Sequence, residues 1–84
     1  MLQTRRDEEV TLPHEVVKKA ALEGKSLTRA WREHLGLTQA EAARRMAVSQ
    51  SAFAQMEKPG AALRLTTIKK IAAALGVEWE QIRE

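Results

Sequence analysis

The sequence predicts an all-α fold made of short helices. Apolar residues recur at every third or fourth position along most of the 84-residue chain, which is the spacing of one helix face. Residues that cap helices stand before these repeats, and glycines follow them. No segment shows the alternation of apolar and polar residues that is typical of a strand. A chain of this length forms one small domain.

The N-terminal part is expected to hold a tail and one helix. Residues 1–12 are rich in charge and have no helical pattern, so we expect a mobile tail there. An accessory helix is expected over residues 13–24, because Pro13 stands in its first turn and Gly24 just past its last. Its apolar face consists of Val16, Val17, Ala20 and Ala21. A helix of about 11 residues is unstable alone in water, so this face must pack against the rest of the chain.

Two further helices follow in close succession. Ser26 is the predicted N-cap of the first, and Gly36 ends it. Its apolar row is Leu27, Trp31 and Leu35. Thr38 and Glu41 form a T-x-x-E capping box that opens the next helix, over residues 38–46.

The next helix begins after a very short connection. Ser49 is placed to cap a helix over residues 49–58, so only Ala47 and Val48 separate it from its predecessor. Two short helices joined so tightly have the outline of a helix-turn-helix. A Pro-Gly pair after residue 58 then interrupts the pattern. The remaining apolar rows are Leu65, Ile68, Ala72 and Leu75 in a fifth helix, and Trp79 and Ile82 in a short sixth.

Positive charge is concentrated in the middle of the chain. The formal net charge is +3, to which residues 1–24, 25–76 and 77–84 contribute −1, +6 and −2. A compact basic block is expected of a protein that meets phosphates. On charge alone, a solvated surface that keeps a small protein soluble is an equally good explanation.

The run LTQAEAARRMAVSQSAFAQME, at residues 37–57, resembles the helix-turn-helix domain of the Cro/C1 repressor type, the XRE family. With IKKIAAALGV after it, the resemblance covers about residues 27–82, and we assign residues 25–84 to this domain. It implies a five-helix, lambda-repressor-like bundle, to which the accessory helix adds one. It also implies a transcriptional repressor that binds double-stranded DNA as a homodimer, with helix 49–58 in the major groove.

The candidate base-reading residues lie on the first turn of helix 49–58 and one turn further on: Gln50, Ser51 and Gln55. A glutamine amide offers a donor and an acceptor, the fork that pairs best with adenine. Taken alone, such glutamines more often form an ordinary exposed helix face, but their place on the second helix of a tight pair favours DNA. Phe53 and Met56, on the opposite side, are assigned to the core. The candidate contacts to the DNA backbone are Gln39, Ser49, Lys58, Arg64 and Arg44.

Other charged residues are expected to act within the protein. The resemblance pairs Arg32 with Glu57 as a structural link to the end of the recognition helix, and such a pair is costly to break. Of Arg44 and Arg45, one is expected to face solvent or a phosphate and the other to pair with Glu41.

One residue and one loop depart from the family pattern. Ala47 stands where the family often has glycine in the turn. Either Ala47 adopts a positive φ, at a cost of about 1 kcal/mol, or the turn is adjusted. Residues 58–62 stand where the family usually has an Asn-Gly pair after the recognition helix, so the family's contacts from this loop to the DNA backbone cannot be assigned directly to these residues.

Neither catalysis nor a bound cofactor is expected. The chain has no cysteine, and His14 and His34 have no second histidine at metal-ligand spacing, so we predict no metal site. The phosphate-binding glycine motifs and the GxSxG motif are absent. The charged start and the lack of a long apolar run predict a cytoplasmic protein without a membrane segment.

Residues 11–32 resemble the corresponding part of HigA-like antitoxins of bacterial toxin-antitoxin pairs. This implies repression of the protein's own operon and neutralisation of a partner toxin, with Asp7, Glu8 and Glu9 as candidate toxin contacts. An additional packing or dimerisation helix explains the segment equally well. The alternative function is a protein-interaction module that neutralises a toxin without itself binding DNA.

Overall fold

Residues 12–84 are the part of the chain that this computed structural model describes. In chain order the elements are α1 (His14–Glu23), α2 (Leu27–His34), α3 (Gln39–Met46), α4 (Gln50–Met56), α5 (Leu65–Leu75) and a 3₁₀ helix (Trp79–Gln81). Residues 12–84 contain no strand, which confirms the predicted all-α bundle. The predicted mobile tail falls on residues 1–12, and all of these except Leu12 lie outside the described residues. Leu12 itself is partly buried and packs against the core.

Side-chain caps fix the starts of three helices. The hydroxyls of Ser26, Thr38 and Ser49 each accept a hydrogen bond from the backbone N–H three residues ahead, at 3.0–3.1 Å. Each cap satisfies one of the N–H groups that a helix start leaves unpaired. α2, α3 and α4 therefore begin where the sequence predicts.

The core lies where the helices of the bundle meet. Its fully buried large side chains are Phe53 of α4, Ile71 of α5 and Val16 of α1. The other core residues are Ala30, Trp31, Ala42, Ala43, Ala72, Leu75 and Ile82. Phe53 thus holds α4 on the bundle, as predicted, and Met56 packs against the same core. Truncating a buried phenylalanine to alanine costs about 3–5 kcal/mol, so this one side chain contributes much of the energy that positions α4.

The turn between α3 and α4 keeps a left-handed backbone at Ala47. Its φ and ψ are 59° and 39°, and it is the only non-glycine residue with positive φ in the part of the chain that the structure describes. The Ala47 N–H donates to the Arg44 carbonyl and the Val48 N–H to the Ala43 carbonyl, both at 3.0 Å. Of the two alternatives for this turn, the structure has the strained alanine and not an adjusted turn.

Helix α1 is tied to α2 by charge as well as by apolar contact. The carboxylate of Glu33 accepts hydrogen bonds from Lys25 at 2.6 Å, Arg29 at 2.8 Å and Lys19 at 3.4 Å. The bond from Lys25, together with those from Arg29 and Lys19, lowers the pKa of Glu33 to about 2. Because Lys19 belongs to α1 and Glu33 to α2, the cluster joins the accessory helix to the main domain.

The apolar face predicted for α1 is only partly buried. Val16 is fully buried, whereas Val17 is 43% exposed and Ala21 is also exposed. Successive residues of a helix differ by about 100° in direction, so a single neighbour covers a narrow stripe and leaves Val17 outside it. Leu35 is also exposed, against the prediction of a continuous row on α2, because it lies beyond His34, the last residue of that helix.

Candidate nucleic-acid interface

Helix α4 presents a small, polar outer surface. Its buried residue Phe53 faces the core, while the three candidate base-reading residues Gln50, Ser51 and Gln55 are all exposed. Gln50 and Ala54 are one turn apart, as are Ser51 and Gln55, so they form two adjacent rows. Alanine between the glutamines lets a helix approach a base edge closely. The helix is shorter than the predicted 49–58, because Ser49 and Glu57 are its caps.

The candidate contacts to the DNA backbone surround α4. Gln39 is the first residue of α3, next to two N–H groups that a helix start leaves without an internal partner. Ser49 is the N-cap of α4. Lys58 and Arg64 are exposed at the two ends of the loop between α4 and α5. Helix dipoles and cations both favour a phosphate at such positions.

The start of α5 is a feature that the sequence analysis missed. Arg64 occupies its N-cap position, and no side chain there accepts a hydrogen bond from the first turn. Arg64, an exposed cation, therefore stands directly before the N–H groups of the first turn of α5. The sequence could have indicated this unusual cap, because Arg64 directly precedes the apolar row of the fifth helix, at the N-cap position where serine, threonine, aspartate or asparagine is preferred.

Arg44 and Arg45 both contact Glu41, so the prediction that only one of them does so was wrong. Arg44 Nη2 bonds Glu41 Oε1, and Arg45 Nε donates to Glu41 Oε2 at 3.2 Å. Glu41 thus pairs with the arginines one turn ahead and does not complete the predicted capping box with Thr38. Arg45 also donates to the Ala74 carbonyl of α5 at 3.2 Å, whereas the side chain of Arg44 is 75% exposed. Arg44 is therefore the more available of the two for a phosphate.

Arg32 and Glu57 form a buried pair beneath the interface. Arg32 Nε bonds Glu57 Oε2, and Arg32 Nη2 donates to Glu57 Oε1 at 3.3 Å. Arg32 is 9% exposed and Glu57 is 3% exposed. Their remaining groups are also bonded, since Arg32 Nη1 donates to the Leu37 carbonyl and the Ser26 hydroxyl to the Glu57 carbonyl, both at 2.7 Å. The structure thus brings together the two residues that the resemblance pairs.

Hydrogen bonds connect this buried pair to the surface of α4. Gln39 Nε2 donates to Glu57 Oε1 at 2.9 Å, and Gln50 Nε2 donates to Gln39 Oε1 at 3.4 Å. The bond between Gln39 and Glu57 was not predicted from the sequence. The two residues are 18 positions apart, and no local pattern connects them.

The fold and this surface define a helix-turn-helix DNA-binding domain. A family model described as Helix-turn-helix matches residues 29–82, which is more than half of the chain. The protein therefore belongs to the Cro/C1-type helix-turn-helix family, whose members are DNA-binding transcription regulators. The match confirms the resemblance to the XRE family, and α1 lies outside it. Neither the curated proteins nor the solved structures gave a match.

Residues 12–84 hold neither a membrane-spanning helix nor a metal-binding cluster. None of the helices there combines the length and apolar character that crossing a membrane requires. The same residues include no group of three or more histidines and carboxylates placed to hold a metal ion.

Proposed function

We propose that this protein is a sequence-specific repressor that binds double-stranded DNA as a homodimer, with α4 in the major groove. The observation that carries the proposal is the exposure of Gln50, Ser51 and Gln55 on a helix whose opposite side is fixed by Phe53. A recognition helix requires this combination of exposed amides on one side and firm packing on the other.

In this proposal the glutamines and Ser51 read base edges, and cations around α4 hold the phosphates. Gln39 and Ser49 contribute at helix starts, and Lys58, Arg64 and Arg44 contribute positive charge. The concentration of basic residues between residues 25 and 76 supports this arrangement. A repressor acts in this way by occupying its operator.

A homodimer is proposed because one domain offers few phosphate contacts, and two domains would read half-sites about 34 Å apart. An apolar groove of about 600 Å³ beside the 3₁₀ helix is the proposed dimer surface, with Leu65, 46% exposed, at its edge. Its apolar lining includes Met56, Leu63, Ile68 and Trp79. Leu65→Glu should lower the dimer fraction in sedimentation velocity, whereas Leu22→Glu on α1 should not. The reverse result would assign the dimer to α1.

The first test is duplex binding and its dependence on salt. Binding to a randomised duplex pool should weaken steeply between about 50 and 200 mM salt, with a slope of about −0.9 per phosphate neutralised. Gln50→Ala should then cost about 1–3 kcal/mol at one base position and relax the preference there. A protein that leaves the pool unbound at 50 mM salt would refute DNA binding and favour the protein-interaction module.

A second candidate role, as the autoregulating antitoxin of a bacterial toxin-antitoxin pair in the cytoplasm, is supported by α1. This helix lies outside the family match, and it exposes two large apolar side chains, Leu22 at 76% and Val17 at 43%. The apolar surface would contact the toxin, together with Asp7, Glu8 and Glu9, which lie outside the described residues. Co-purification with the product of a neighbouring small reading frame, lost in Leu22→Glu, would support this role. Retention by Leu22→Glu would remove α1 from the toxin surface.

A further inference from the structure

A buried carboxylate is joined to an exposed amide by two hydrogen bonds. Glu57, 3% exposed, accepts from Gln39 Nε2 at 2.9 Å, and Gln39 Oε1 accepts from Gln50 Nε2 at 3.4 Å. The Arg32 guanidinium bonds both oxygens of the Glu57 carboxylate, including the Oε1 atom that accepts from Gln39. The series runs from the interior of the bundle to the first helical residue of α4.

The Glu57 carboxylate, at the buried end of the series, determines which group donates in each of the two hydrogen bonds. A carboxylate paired with arginine only accepts hydrogen bonds, so Gln39 must turn its NH₂ group toward Glu57. The Gln39 oxygen is then the atom left to face Gln50, and an oxygen of this kind needs a donor. Gln50 must therefore use one N–H of its own amide, which leaves its oxygen and its second N–H free.

We propose that Glu57 is a positioning residue that fixes the orientation of the Gln50 amide and thereby makes it select adenine over guanine. The inference rests on the proposed role of Gln50 as a base-reading residue. In the major groove adenine presents the N6 donor and the N7 acceptor, whereas guanine presents two acceptors, O6 and N7. One free oxygen and one free N–H match adenine. Against guanine, the fixed oxygen of Gln50 faces the acceptor O6.

Replacing the Glu57 carboxylate by an amide should reverse the direction of both hydrogen bonds in the series. In Glu57→Gln, Arg32 Nε retains the amide oxygen at the Oε2 position, so the new NH₂ group takes the Oε1 position, faces Gln39 and gives up the 3.3 Å bond from Arg32 Nη2. Gln39 then turns its oxygen inward and its NH₂ group outward, and Gln50 accepts through its oxygen. The NH₂ group of Gln50 is left for the base, and two donors match the two acceptors of guanine.

The experiment measures affinity for duplexes that differ only at the base that Gln50 reads. The native protein selects its site from a randomised pool, and each variant is then titrated against the four bases at that position. The native protein should prefer adenine to guanine by roughly tenfold or more. Glu57→Gln should reverse this order, and Gln39→Met, which leaves the Arg32–Glu57 pair in place, should lower the ratio toward one.

Glu41→Gln is the matched control, because it makes the same chemical change at a carboxylate whose ion-pair partners within residues 12–84 are Arg44 and Arg45. It should keep the native order of the four bases, whatever its effect on overall affinity. Thermal unfolding of each variant sets a titration temperature at which the protein is folded. A Glu57→Gln protein that binds all four duplexes more weakly in the native order would show that Glu57 is merely structural, and the inference would fail.

A measurement on the free protein separates this inference from DNA binding itself. Side-chain amide exchange, followed by NMR, should be slower for Gln39 than for the exposed Gln55, and Gln39→Met should speed exchange at Gln50. Equal exchange at Gln39 and Gln55 would overturn the orientation argument even if DNA binds. Failure of the native protein to bind any duplex would instead refute the proposed function, and this inference with it.

Discussion

Replacing Ala47 by glycine is expected to stabilise the protein. Ala47 has a φ of 59°, in the left-handed region that costs an L-residue about 1–2 kcal/mol. Glycine removes this strain, but it adds freedom to the unfolded chain that costs about 0.4–1 kcal/mol. Ala47 is exposed, so no core contact is lost. With mid-range values of about 1.5 and 0.7 kcal/mol, the expected net gain in the free energy of unfolding is about 0.8 kcal/mol.

Thermal unfolding followed by circular dichroism can measure this gain. For a domain of this size it corresponds to a rise in Tm of about 2–8 °C. Ala73→Gly is the matched control, because Ala73 is also exposed but lies inside α5. There the same change should lower stability by about 1 kcal/mol. If Ala47→Gly were no more stable than the native protein, the left-handed turn would carry no strain and the argument would be wrong.

Three other outcomes are expected. The lowered pKa of Glu33 means that its ion pairs stabilise the fold fully above about pH 4.5 and lose their effect as the pH falls through about 2. Glu33→Gln should therefore cost about 1 kcal/mol at pH 7 and much less at about pH 2, as measured by urea unfolding. Glu57→Ala should cost about 3–5 kcal/mol in the free energy of unfolding, because it leaves Arg32 buried without its partner; a native unfolding midpoint with lost DNA binding would contradict this. Arg64→Ala should weaken binding to all duplexes alike and reduce the salt slope by about one, and an unchanged slope would remove Arg64 from the backbone contacts.

Local signals in the sequence were enough to predict where the helices begin. The caps at Ser26, Thr38 and Ser49 act within three residues, so their effect does not depend on the rest of the fold. The burial of Phe53 followed from helical spacing for a similar reason. The strain at Ala47 could be stated only as an alternative, because sequence alone does not give the angles of a turn.

The parts that sequence reasoning missed depend on contacts between distant residues. Val17 looked equivalent to Val16 in the helical pattern, and only the position of α2 decides that one is buried and the other exposed. Glu41 could complete a capping box or pair with arginines, and the carboxylate takes the two charged partners. Charge-assisted bonds are stronger than neutral ones, which favours this choice.

Comparison of two variants separates helix rigidity from amide orientation as the cause of base selection. α4 has only seven residues, too few for a stable isolated helix, so its direction depends on Phe53 and on the pair at its C-terminal end. A change at Glu57 alters both the packing of α4 on the bundle and the orientation of the Gln50 amide. Gln39→Met alters the orientation of the Gln50 amide but leaves the Arg32–Glu57 pair intact. Loss of base preference in Gln39→Met at an unchanged unfolding midpoint would assign selection to the orientation of the amide. Loss of preference in proportion to lost stability in both variants would assign it to a loosened helix.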